Sequence, residues 1–180
     1  MKTKDLILSA LFCVLIIIGT FIKIQLPLIP ITFQVLFVLL TGCILRFPIS
    51  IFAPTLYMIL GLIGIPVFTK GGGIWYIFEK SFGYIIGFVL AVAFISYMKS
   101  KMHKFSYTYL AIINIVGVII IYLCGLPYFY IIQNIYLSKP LPFFTIMMYG
   151  LLIPLPSDIL AVIVTVCISG YLYKIGKLNV

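Results

Sequence analysis

Asp158 is the one acidic residue in the final third of the chain, and it directly follows Pro156 and Ser157 at the mouth of an apolar run. Two chemistries fit that triplet. Ser157 can cap a helix N-terminus while Asp158 complements the helix dipole. Alternatively, the Asp158 carboxylate accepts hydrogen bonds from the N–H groups of a ligand, since ionisable groups within membrane segments are costly and usually serve function.

A second constellation occupies residues 61–88, GLIGIPVFTKGGGIWYIFEKSFGYIIGF. Gly71, Gly72 and Gly73 adjoin Trp75, Tyr76, Phe78, Phe82 and Tyr84, with Lys70, Glu79 and Lys80 among them. The aromatic residues read either as a belt at the headgroup level or as a cage for a partly apolar ligand. In the cage, glycine would let the backbone approach closely. Lys70 and Lys80 either snorkel to solvent or meet a ligand carboxylate.

Several chemistries are excluded. No GxxxxGK[ST] pattern is present, so the chain is not expected to hydrolyse ATP by itself. His103 is the only histidine and sits in a basic loop. Cys13, Cys43, Cys124 and Cys167 all lie within apolar runs without CxxC spacing, as packing thiols do. A metal site, a resident cofactor and an intramembrane protease are therefore not expected. Glu79 and Asp158 are a thin basis for acid–base catalysis, which leaves binding and transport rather than an enzyme.

The elements that hold these residues follow from composition. The chain is 64% hydrophobic and 8% charged, with a mean hydropathy of +1.32, against about 25% charged in soluble domains. Lipid is its solvent. The net charge of +9 is spread in ones and twos between apolar runs, a pattern that sets membrane orientation and not one that binds nucleic acid. No small-x-small cleavage site follows Gly19, so the basic, apolar start reads as a retained first helix.

With about 20 apolar residues per span, six helices are expected in one domain, residues 1–180. They cover Leu6–Ile22, Ile31–Leu45, Ile49–Ile65, Phe82–Met98, Tyr107–Leu126 and 154–173. Pro54 is expected to kink the third. Residues 127–142 read as an interfacial segment and Phe143–Ile153 as too short to cross alone. With the N-terminus inside, Lys2, Lys4, Arg46, Lys99, Lys101, Lys104, Lys174 and Lys177 face the cytoplasm. Lys23, Lys70, Lys80 and Lys139 face outward, giving eight charges against four. Both termini are then cytoplasmic, and residues 23–34, 66–80 and 127–158 share the outer face.

The run PLIPITFQVLFVLLTG at 27–42 resembles the first-loop signature of the BioY family, the biotin-binding S components of energy-coupling-factor (ECF) transporters. LYMILGLIGIPVF at 56–68, the glycine-rich loop, SFGYIIGF at 81–88 and the PSD-I-L pattern at 156–160 resemble its further motifs in order and spacing. The resemblance spans essentially the whole chain. It implies an all-α, six-helix S-component fold in the plasma membrane of a bacterium, with the vitamin bound near the outer surface. It also implies a transmembrane T component and two ATP-binding subunits that use ATP, with the S component toppling to deliver its cargo.

By position, the resemblance gives Asp158 the ligand's ureido N–H groups and makes Gly71, Gly72 and Gly73 the glycine-rich loop. The SFGY run at 81–84 matches the following helix start, and Gln34, Phe68, Trp75, Tyr76, Lys80 and Tyr84 are the further candidates for substrate contact. Ser9 and Cys13 approximate the Ala-xxx-Ala pair that faces the T component, a spacing at which small residues let helices pack closely. Two departures concern the ligand: Ala161 stands where the family has lysine, and Lys80 where it has proline. They leave lipoate and dethiobiotin open beside biotin. The alternative from another class is a membrane assembly protein with no vitamin ligand.

Overall fold

The computed structural model describes residues 3–176; Lys2 and Lys177, two of the charges counted above, lie outside them. Helix α1 (Thr3–Phe21) buries Ser9, Phe12, Cys13, Ile16, Gly19 and Thr20, which recur every three or four residues and form one face. Its other face is apolar too: Leu6, Ile7, Leu11, Val14 and Ile18 are exposed. A helix that is apolar all round with one half exposed has lipid on that half.

The chain then turns through a short antiparallel hairpin, β1 (Lys23–Ile24) against β2 (Ile31–Thr32). Helix α2 (Gln34–Ile44) follows, then a 3-10 turn at Ile49–Ile51, α3 (Phe52–Leu62) and α4 (Phe82–Ser100). Helix α5 (Tyr107–Ile131) runs on through a π-helical turn at Ile132–Tyr136. Helix α6 (Phe143–Met147) passes through a second π turn at Met148–Leu152 towards α7 (Leu155–Lys174).

Among the described residues, four helical stretches are long and apolar enough to cross a membrane: Thr3–Phe21, Phe82–Ser100, Tyr107–Tyr136 and Phe143–Lys174. The other two expected helices are the shorter Gln34–Ile44 and Ile49–Leu62. At 1.5 Å per residue, α2 is about 16 Å long, roughly half a hydrocarbon core. It tolerates this because it lies inside the bundle, packed on α1, α4 and α7, with Gln34, Val35 and Val38 to Cys43 buried. Loop residues Ile29, Val67 and Phe68 are buried as well.

Several boundaries differ from expectation. Ile31 and Thr32 pair with the strand before them, so α2 begins at Gln34. Pro54 sits in the first turn of α3, where helices tolerate proline. Pro127 lies inside α5 without ending it; a membrane helix accommodates proline where neighbours satisfy the freed backbone. Residues 143–152 are helical and lead into α7, so the last helical stretch begins at Phe143 and not at residue 154.

Lys99 also departs from its expected place in a solvated loop. It is 5% exposed, and its ammonium donates to Cys43 O at 2.9 Å and Ile44 O at 3.4 Å, at the C-terminus of α2. Other polar groups hold the same core. Asn114 donates to Cys43 Sγ (3.1 Å) and to Leu110 O (2.7 Å), and Ser50 donates to Ser96 Oγ (2.7 Å).

Candidate functional site

The three irregular segments converge at one end of the bundle. Lys23 Nζ donates to Thr69 O over 2.5 Å, joining the hairpin to the glycine-rich loop. The Tyr128 hydroxyl donates to Ile77 O, and Phe78 stacks on Tyr136 with ring centroids 4.6 Å apart. Tyr84 Oη donates to Gly150 O over 2.9 Å, holding the second π turn to the start of α4.

Beneath these contacts lies a cavity of about 70 Å³, lined by Gln34, Tyr57, Tyr76, Tyr84, Tyr122 and Asp158 among others. Each polar group has a reason for its position. Gln34 opens α2 directly after the hairpin, and its Nε2 donates to Tyr57 Oη at 2.8 Å. Tyr76 shares hydrogen bonds with Thr69 Oγ1 (2.8 Å) and Ser81 Oγ (3.0 Å) within its own loop. Burial raises the Tyr76 phenol above its ordinary pKa, so it stays a neutral hydroxyl.

Asp158 stands in the first turn of α7 and is 5% exposed. Tyr122 Oη donates to its Oδ2 over 2.5 Å. Ser157 does not cap the helix; its hydroxyl donates to Pro154 O at 2.7 Å. The carboxylate thus lies near a helix N-terminus and on a cavity wall at once, so the two sequence readings of Asp158 are compatible.

Of the expected positions, Gln34, Tyr76, Tyr84 and Asp158 come together on this cavity. The others do not line it. Phe68 is 1% exposed and packs behind the lining, 5.3 Å from Tyr57 and 4.3 Å from Tyr76 between ring centroids. Gly71, Gly72 and Gly73 shape the loop backbone instead. Gly71 and Gly73 have φ of +114° and +117°, and a Cβ on Gly72 would stand 2.2 Å from Ile65 O. Trp75 is 77% exposed, a position that suits the belt reading over the cage.

Lys80 is next in sequence to Ser81, which does line the cavity. Burial, with the like charge of Lys70, holds its ammonium below the ordinary lysine pKa. Lys70 pairs with Glu79 at 2.8 Å on the surface. Ser9 and Cys13 are 3% and 2% exposed, and Ser9 Oγ donates to Ile49 O at 3.3 Å. Their small size serves packing within this chain. Among the described residues, no group of three or more His, Cys, Asp or Glu could hold a metal.

Tyr57 and Tyr122 were not anticipated from the sequence. A tyrosine in the middle of an apolar helix must find a partner for its hydroxyl, and that signal alone could have drawn attention to both. An open apolar groove of about 1210 Å³ runs along α5 and α7 on the other side of Tyr122 and Asp158. Its walls include Ile119, Leu123 and Ile163, about half exposed or more. Ala161 borders a separate cleft of about 60 Å³ with Asp158, Thr32 and Leu36.

Residues 1–177 match the family model described as BioY family. A probable biotin transporter BioY from Lysinibacillus sphaericus is 37% identical, covering 98% of this chain and 90% of the relative. A biotin transporter BioY from Thermotoga maritima is 35% identical over 68% of this chain and 72% of its own length. Among solved structures, the S-component for biotin from an ECF-type ABC transporter superposes with a TM-score of 0.82 at 27% identity. That match covers 97% of this chain and 95% of the other.

Proposed function

The chain belongs to the BioY family, and from that premise we propose that it is the substrate-binding S component of an ECF-type importer, with biotin as its ligand. It is a multi-pass membrane protein with the S-component fold, and a transport protein rather than an enzyme. The observation that carries the proposal is the buried Asp158 carboxylate on the wall of a polar–aromatic cavity under three converging loops. A carboxylate there suits the ureido N–H groups of biotin, while Tyr76, Tyr84 and Tyr57 suit its apolar ring system.

In this reading Gln34 and Tyr76 supply further hydrogen bonds, and the loop end of the bundle faces outward. Lys80, next in sequence to the cavity-lining Ser81, would be the cation that meets the valerate carboxylate. Small-molecule sites measure roughly 300–1,000 Å³, so the 70 Å³ cavity must widen to admit the vitamin. The segment around Gly150 is tied to α4 through the Tyr84 hydroxyl and packs on Leu126 and Phe129, so widening on that side would require those contacts to shift. A T component and two ATP-binding subunits would complete the importer.

Isothermal titration of the purified protein with biotin, dethiobiotin and lipoate tests the proposal. Biotin heat at micromolar ligand supports it. Heat from lipoate or dethiobiotin with none from biotin would move the assignment to a related carboxylate. No heat from any of the three overturns it. Copurification with T-component and ATPase subunits tests the assembly.

A further inference from the structure

Tyr122 is the side chain in direct contact with the Asp158 carboxylate, and nothing in the sequence motifs marks it. It sits on α5 at 6% exposure, edge-on to Tyr84 with 6.3 Å between centroids and 87° between ring planes. Its 2.5 Å hydrogen bond to Asp158 Oδ2 joins α5 to α7. Both residues line the cavity, and both also line the lipid-facing groove behind it. The pair borders both spaces.

That placement matters for the carboxylate. An aspartate has two side-chain torsions and two oxygens with about four lone-pair sites. Beside a lipid-facing groove it could turn away from the cavity. A phenol donor on Oδ2 removes that freedom and leaves the remaining lone pairs to receive a ligand N–H. The acceptor is then oriented before the ligand arrives, and binding does not have to order it.

Resting on the reading of Asp158 as the ligand's acceptor, we infer that Tyr122 is a positioning residue. Its hydroxyl holds the Asp158 carboxylate towards the cavity and thereby sets the affinity for ligands that offer N–H groups.

The test is a double-mutant cycle. Biotin is titrated into the wild type, Tyr122→Phe, Asp158→Asn and the double variant, each shown to be monodisperse by gel filtration. A hydrogen bond to a charged group corresponds to roughly tenfold to a hundredfold in affinity, so Tyr122→Phe alone should weaken biotin by about that factor. In the Asp158→Asn background the same change should cost less than about threefold, because the group it acts through is gone. A merely structural role, or direct contact with the ligand, would give the same loss in both backgrounds and would overturn the inference.

A second measurement needs no ligand. The chain has only three acidic residues, so the infrared carboxylate stretch lost in Asp158→Asn is assignable. That band should shift in Tyr122→Phe; an unmoved band overturns the inference. A wild type that ignores biotin overturns the proposed function and this inference with it. Wild-type binding with an unaffected Tyr122→Phe overturns this inference alone.

Discussion

Gln34 Nε2 and Tyr57 Oη lie 2.8 Å apart under the cavity, a hydrogen bond between two uncharged side chains that are 5% and 1% exposed. Thr20 Oγ1 is 3.2 Å from the same phenol oxygen, and Val67 O is 3.4 Å away. One tyrosine thus ties α1, α2, α3 and the loop after α3. In lipid such a bond has no bulk water to replace it.

Tyr57→Phe is expected to lower stability by about 1–3 kcal/mol, because Gln34 would keep a buried, unpaired N–H. Thermal unfolding in detergent checks this through a lowered Tm. The partial rescue to look for is Gln34→Leu in the Tyr57→Phe background, which removes the orphaned donor. If Tyr57→Phe unfolds at the wild-type temperature, the cluster is not a structural tie.

Asp158→Asn keeps the side-chain volume and removes the charge. Biotin affinity is expected to fall by about 1–3 kcal/mol, the scale for a hydrogen bond to an ionised acceptor. Titration against the wild type reads this directly. An unchanged affinity would remove Asp158 from the site.

Trp75 gives the converse expectation. At 77% exposure it stands outside the cavity, so Trp75→Phe should leave biotin affinity within about twofold, since its ring contributes no buried contact there. A loss of tenfold or more would restore the cage reading.

Lys80→Ala separates charge from shape. A partly buried ammonium at the loop surface contributes up to about 1 kcal/mol. The variant should bind biotin a few-fold more weakly but bind a carboxylate-free biotin amide as the wild type does. Equal losses for both ligands would show that Lys80 does not meet the carboxylate.

The helices were legible wherever the signal was a long apolar run, as for α1, α4 and the main part of α7, where lipid demands little else of the sequence. The ends were not. Pro127 suggested a stop that neighbouring helices make unnecessary, and Ile31–Thr32 joined a hairpin whose pairing lies in tertiary structure. In the site, Asp158 and Gln34 were reachable through motif order, and Tyr76 and Tyr84 through the aromatic cluster. Tyr57 and Tyr122 were hidden because a tyrosine in a greasy helix looks like packing until its hydroxyl's partner is known. Trp75 stays open between belt and cage for the opposite reason: an exposed indole and a caging one have the same sequence.

Lys99 offers the sharpest test of how the short central helix is held. The last carbonyls of α2 have no helical donor of their own, and they carry the negative end of its dipole. The Lys99 ammonium meets three of them, at 2.9 Å from Cys43 O, 3.4 Å from Ile44 O and 3.5 Å from Leu45 O. Lys99→Met keeps most of the stem's packing and removes every donor. Removing the ammonium recovers the cost of burying a charge, but it leaves carbonyls without a partner in a core that is 5% exposed at this residue. The second effect should win, because an unsatisfied buried acceptor costs about 1–3 kcal/mol and more than one is stranded. A lowered Tm is expected for Lys99→Met, with partial recovery in Lys99→Arg, which restores donors at similar reach. A Tm unchanged in Lys99→Met would mean that water reaches those carbonyls, and that α2 is held by its apolar packing alone.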